Sequence, residues 1–82
     1  MKLLYFGRLA EIAGTRGGEV ALPAHVTTVA AARDWIGETQ PELAEALGSE
    51  RVRALADDEF VGNDRSLAGV AELAFLPPVS GG

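Results

Sequence analysis

The sequence predicts an α+β fold, with a mixed sheet of four to five strands and one main helix across a single face. Three features of the chain point to it. Short apolar stretches, among them Lys2–Phe6, Val52–Ala56 and Glu72–Leu76, are bounded by glycine, proline or a charged turn, as strands are. One longer segment, from Thr27 or Thr28 to Glu38 or Thr39, keeps its apolar residues at helical spacing. The 82 residues supply a single core and bury roughly 60–65% of the surface that the unfolded chain exposes, so one helix layer packed on one sheet is the economical solution.

Taken in order, Lys2–Phe6 reads as a buried first strand that stops at Gly7. Leu9, Ile12 and Ala13 then recur at helical spacing before Gly14, so residues 8–13 form one to two helical turns closed by a glycine cap. Gly17-Gly18 is a turn signal, and the alternation in Glu19-Val20-Ala21-Leu22 predicts a second strand that Pro23 ends. Either Thr27 or Thr28 can cap the main helix, in which Val29, Ala32 and Ile36 share a face with Trp35 beside them. Pro41 suits the first turn of a short helix with Leu43, Ala46 and Leu47 on one side, and Gly48 closes it. The period then changes to two. Val52, Ala54 and Ala56 alternate with Arg53 and Leu55, Asp57-Asp58-Glu59 turns the chain, and Phe60-Val61 returns as a short strand. Gly62-Asn63-Asp64 is a loop, and Glu72–Leu76 is the last strand. With the first two strands as a hairpin and the last returning beside the first, the main helix is the crossover, which is the β-grasp arrangement. The domain is expected to span residues 1–76, followed by a flexible tail over 77–82.

Composition removes several kinds of chemistry. There is no cysteine, hence no disulfide, thiolate metal site or thiol nucleophile. The single histidine, His25, sits near Pro23 in a turn and builds neither a zinc site nor a hydrolytic triad by itself, and no metal site is expected. Seven basic against twelve acidic residues give a net charge of −5, which repels phosphate backbones and argues against nucleic acid as a partner. That charge favours a partner with a basic surface. No apolar run approaches the roughly 18 residues of a membrane span, and Gly7-Arg8 and Glu11 interrupt the first apolar stretch, so a cytoplasmic protein without a membrane partner is expected.

The last six residues, Pro77-Pro78-Val79-Ser80-Gly81-Gly82, carry the strongest functional signal. Gly81 and Gly82 project no side chain, so a narrow channel in a partner admits them. Each proline fixes φ near −65° and removes a backbone donor, which stops the strand and stiffens the root. Six extended residues reach roughly 20 Å, enough to deliver a Gly82 carboxylate into another protein's active site.

The segment from Arg51 to Gly82, above all Phe75-Leu76-Pro77-Pro78-Val79-Ser80-Gly81-Gly82, resembles the C-terminus of the MoaD family, the ubiquitin-like sulfur carriers that form the small subunit of molybdopterin synthase. Lys2–Phe6, Arg8–Gly14 and Thr28-Val29 with the following helix fall where that family has its first strand, short helix and main helix. The chain departs from the family in carrying Asp57 where Asn is usual, and Gly69-Val70-Ala71-Glu72 in place of an Asp-Gly-Asp-Glu turn, a change that weakens the turn before the last strand.

The resemblance implies a thiocarboxylate cycle for molybdenum cofactor biosynthesis. An E1-like adenylating enzyme would consume ATP to activate the Gly82 carboxylate, and a sulfur donor of the cysteine desulfurase or rhodanese type would convert it to a thiocarboxylate. The charged tail would then enter the large synthase subunit and give its sulfur to the pterin precursor, cyclic pyranopterin monophosphate. The chain would be the sulfur-donating subunit of a transferase, with no catalytic side chain and no intrinsically bound cofactor of its own. Val79, Ser80 and Gly81 would make main-chain contacts in the partner's channel, and Pro77 and Pro78 would set the exit angle. Phe60, Phe75 and Leu76 are the candidates for an apolar docking patch, with core packing as the alternative for each. Asp57, Asp58 and Glu59 are either a solvated turn or a contact for a basic surface, and Arg8, Arg33, Arg51, Arg53 and Arg65 read as surface. Three other readings stand beside this one. They are a β-grasp carrier for thiamine, tungsten-cofactor, tRNA-thiolation or cysteine pathways, a ubiquitin-like modifier joined through Gly82 to a lysine, and an interaction domain with an inert tail.

Overall fold

In the structure, a computed structural model that describes residues 1–78, β1 (Lys2–Tyr5) buries Leu3 and Tyr5 on one face. Helix α1 (Arg8–Ala13) follows and ends where Gly14, at φ 74°, donates its N–H to the Ala10 carbonyl. After β2 (Gly17–Glu19) and a loop, Thr28 caps α2 (Val29–Thr39), its hydroxyl oxygen accepting the Ala31 N–H at 3.2 Å. The next two donors of that first turn, the N–H groups of Val29 and Ala30, reach the carbonyls of Arg65 and Asn63 at 3.0 Å. The loop before the last strand therefore satisfies the start of the main helix. Helix α3 (Pro41–Leu47) begins on its proline, and β3 (Arg53–Ala56), β4 (Glu59–Val61) and β5 (Glu72–Leu76) complete the chain.

The five strands lie in the order β2-β1-β5-β3-β4. β1 and β5 are parallel, with Lys2 opposite Glu72 and Tyr5 opposite Phe75, and the other pairings are antiparallel. This is the β-grasp arrangement, with the last strand in the middle of the sheet. The register aligns Leu3, Tyr5, Leu73, Phe75, Ala54 and Ala56 on one face, and Val29, Ala32 and Ile36 of α2 close over it. Leu43 and Leu47 of α3 and Leu9 of α1 finish the core. Among the described residues no helix is long and apolar enough to cross a membrane.

One element is displaced from its expected position. The second strand is Gly17–Glu19 rather than Glu19–Leu22, and the supposed turn glycines lie inside it. The cause is a close approach of two backbones, since a Cβ on Gly17, which sits at φ 120°, would stand 1.9 Å from the Leu3 carbonyl oxygen. Only glycine allows β2 to pair this tightly with β1, and the alternating Val20 and Leu22 instead pack against the core from the following loop.

The turn that the sequence reads as weakened, 69–72, is held from two sides. Gly69 adopts φ 79°, Val70 is buried and donates to the Leu67 carbonyl, and the Ser66 hydroxyl accepts the Ala68 N–H. Across the sheet, the Asp57 carboxylate accepts the N–H groups of Ala71 and Glu72 at 3.0–3.3 Å.

Candidate functional site on the outer face of the sheet

Helices cover one face of the sheet, and the other carries an apolar row. The pairings align Leu4 of β1, Ala74 of β5, Leu55 of β3 and Phe60 of β4 side by side across four strands. Leu76 and Arg53 are paired next to that row. None of these residues belongs to the core cluster. Phe60 is 60% exposed, and Phe6, just past the end of β1, is 43% exposed. Ala74 is buried and Leu4 and Leu55 are half-buried, so the row is a partly exposed apolar face with Phe60 and Phe6 at its most open points, the kind of surface that docking takes out of water. The Arg53 guanidinium lies over the Phe60 ring, 4.7 Å from its centroid. Beside the row, Lys2 and Glu72 form an ion pair at 3.9 Å.

The root of the tail adjoins this face. Leu76 is the last residue of β5 and Pro77 follows directly, half-buried against Gly7. Gly7 has φ 54° and ψ −130°, and a Cβ there would meet the Pro77 ring at 3.1 Å. The turn after β1 thus fixes where the chain leaves the sheet. On the helical side, Pro77 and Pro78 join Ile12 of α1 and Ala46 of α3 in lining an open groove of about 480 Å³. The expected roles of Val79, Ser80, Gly81 and Gly82 lie outside the described residues.

The structure separates the three candidate docking residues. Phe60 is exposed and Leu76 is half-buried on the outer face, but Phe75 is a core residue. Strand alternation sends Phe75 inward, where its ring stacks on Tyr5 with centroids 6.4 Å apart. It has no exposed surface to offer a partner, which corrects the expectation for that residue. Phe6, past the end of β1, is the exposed aromatic instead. Sequence reasoning absorbed Phe6 into the first strand, although its position next to Gly7 was the available sign that the strand had already ended.

Two charged residues also have structural duties. Asp57 clips β5 to the β3–β4 turn, so of its acidic cluster only Asp58 and Glu59 remain as simple surface. Arg33 is not surface. Its guanidinium donates to the carbonyls of Leu47, Ser49 and Val52 at 2.7–3.2 Å and lies 5.6 Å from the Phe75 ring centroid. Burial pushes its pKa below the usual value, yet a guanidinium remains charged at any physiological pH. His25 is exposed in a turn, and no three His, Cys, Asp or Glu side chains converge on a possible metal position among the described residues.

Comparison with known proteins gives a family to a chain with this apolar sheet face and proline-bounded exit. The profile of the ThiS family matches residues 3–82. The chain belongs to the ThiS family. Among curated ThiS-like relatives, the molybdopterin synthase sulfur carrier subunit of Escherichia coli (strain K12) is 35% identical over 82 residues, covering 100% of this chain and 99% of the relative. Among solved structures, SAMP1 from Haloferax volcanii is 32% identical and superposes with a TM-score of 0.81, covering 100% of this chain and 98% of the other. A structure of the H. volcanii small archaeal modifier protein 1 is 30% identical with a TM-score of 0.72, covering 96% and 97%. The ThiS family match spans the tail as well as the domain, so the β-grasp body and the Gly81-Gly82 terminus are matched together.

Proposed function

We propose that this chain is the sulfur carrier of molybdopterin synthesis and that Gly82 is the atom-carrying residue. The observation that carries the reading is the 35% identity to the E. coli sulfur carrier subunit over the full 82 residues, Gly81-Gly82 included. A carboxylate is a poor electrophile until it is esterified. An E1-like enzyme would join the Gly82 carboxylate to the AMP of ATP and release pyrophosphate; a persulfide donor would then displace AMP to give an acyl disulfide, and a thiol reductant would cleave it to leave the thiocarboxylate. The large synthase subunit would receive the tail and pass its sulfur to cyclic pyranopterin monophosphate. In this cycle the chain's own residues bind and position. Leu4, Leu55, Leu76, Phe6 and Phe60 supply a docking face, and Pro77, braced on Gly7, aims the tail.

The test is intact mass. After incubation with ATP, an activating enzyme, a sulfur donor and a thiol reductant, the protein should gain about 16 Da as one oxygen is exchanged for sulfur at the activated carbonyl. An unchanged mass overturns the sulfur-carrier reading.

A second reading, a protein modifier joined through Gly82, is favoured by the likeness to the small archaeal modifier protein 1. Lys2 is the only lysine, so chains of this protein could extend only through Lys2 or an α-amino group. Conjugates on other proteins that vanish when Gly82 is removed would support this reading.

A further inference from the structure

Among the described residues, the docking face holds a cation, Arg53, that has no ion-pair partner. Arg53 is exposed on β3, pairs in register with Leu76 and lies over Phe60; Glu50 lines a shallow pocket with it but makes no ion pair to it. Among the described residues, the carboxylates in ion pairs are Glu19, with the N-terminal amine, and Glu72, with Lys2, so no acid among those residues pairs with Arg53. The ring holds the planar guanidinium in place by a cation–π contact and uses one face of it, while the N–H donors at its edge stay available.

When an apolar partner covers Phe60 and Leu76, Arg53 is covered with them. A guanidinium stripped of water against a purely apolar surface costs affinity, whereas the same group facing a carboxylate becomes an anchor. Arginine suits the second case, because its donors match a carboxylate in a two-pronged geometry and a neighbouring ring has already fixed the side chain. The chain's net charge of −5 argues for a basic partner overall, yet on this face the local charge argues the reverse.

We propose that Arg53 is a specificity residue of the docking face, and that the protein receiving the tail presents an apolar surface with a carboxylate opposite the Arg53 guanidinium. The inference rests on the sulfur-carrier reading for the identity of that protein, as either the activating enzyme or the large synthase subunit.

The experiment measures binding of the full-length chain to each of those two proteins at low and high salt, for the wild type, Arg53→Met and Arg53→Glu. Methionine keeps an apolar stem against Phe60 and removes the charge, so it separates the cation from the surface it covers. Arg53→Met should weaken binding to at least one partner about tenfold and flatten its salt dependence, and Arg53→Glu should weaken it further. Equal or tighter binding by Arg53→Met to both partners overturns the proposal, because the cation is then only a cost. Unfolding curves of the variants that match the wild type assign the loss to the interface, and unfolding that accounts for all of the loss overturns the proposal. A wild type that binds the partners and gains sulfur while Arg53→Met binds normally removes this inference alone. A wild type that binds neither partner removes both readings.

Discussion

Gly7 and Pro77 meet at the point where the chain leaves the sheet, so closely that a Cβ on Gly7 would stand 3.1 Å from the Pro77 ring. Gly7 also has φ 54° with ψ −130°, a region that side-chain-bearing residues rarely enter. Gly7→Ala is therefore strained twice, and chemical denaturation should report a loss of about 1–3 kcal/mol. Because the strain falls on the tail's root, sulfur loading should slow even at temperatures where the variant is fully folded.

Asp57 and Asp58 form a two-residue hairpin turn with both φ values positive, 47° and 69°. Asp57 holds its place because its carboxylate accepts the Ala71 and Glu72 N–H groups. Asp57→Ala should cost about 1–2 kcal/mol by losing those exposed charge-assisted bonds, and Asp57→Asn should recover most of the loss. Asp58 is exposed, and nothing in the structure bonds to its side chain, so Asp58→Gly should raise stability by about 0.5 kcal/mol through relief of left-handed strain. Melting curves of the three variants should rank in that order.

Arg33 ties α2 to the segment between α3 and β3 by three bonds to carbonyl oxygens. Arg33→Met should lose about 1.5–3 kcal/mol, the range for hydrogen bonds made by a charged donor. Lysine carries the charge but cannot span three carbonyls from one planar group, so Arg33→Lys should fall between methionine and wild type in denaturant midpoint.

Tyr5 is the only tyrosine, and burial raises its pKa above 10. The folded state thus holds the phenolic proton more tightly than the unfolded state. The resulting stability is complete below pH 10 and is lost as pH rises through the folded value. Tyrosinate absorbance should appear above pH 10 and coincide with loss of folded structure, and Tyr5→Phe should remove that part of the alkaline transition. Ionisation well below unfolding would contradict the burial of Tyr5.

Phe60 and Phe6 are exposed where Phe75 is buried, so aspartate at each should have opposite effects. Phe60→Asp and Phe6→Asp should leave the melting temperature near the wild-type value and weaken partner binding tenfold or more, by about 1.4 kcal/mol or more each. Phe75→Asp should prevent folding. Binding assays beside melting curves distinguish the two classes.

The sequence is legible where one short-range signal decides the structure. Thr27 or Thr28 ahead of Val29, Ala32 and Ile36 gives the start and the buried face of α2, with Thr28 the one that caps, and Pro41 and Gly48 bracket α3. β5 ends at Leu76, before the proline pair, as expected. What escapes depends on contacts between distant segments. Gly17 looks like a turn residue until β1 lies against it, and Arg33 looks like surface until three carbonyls from another segment surround it. Phe75 and Leu76 are adjacent apolar residues that face opposite ways, and only the register with Tyr5 and Arg53 says which faces out. The proposed role of Gly81-Gly82 rests on chemistry that a sequence states without packing, whereas the outer apolar face exists only once the sheet has formed.

β5 is the central strand, bonded along its length to β1 on one side and β3 on the other. A partner that draws on the tail therefore pulls along a strand held by two ladders at once. Such a load shears many hydrogen bonds together instead of unzipping them one by one from an edge. Under the proposed function, a tail handled by partners would be tied to a strand bonded on both sides, so repeated handling need not unravel the body that carries it.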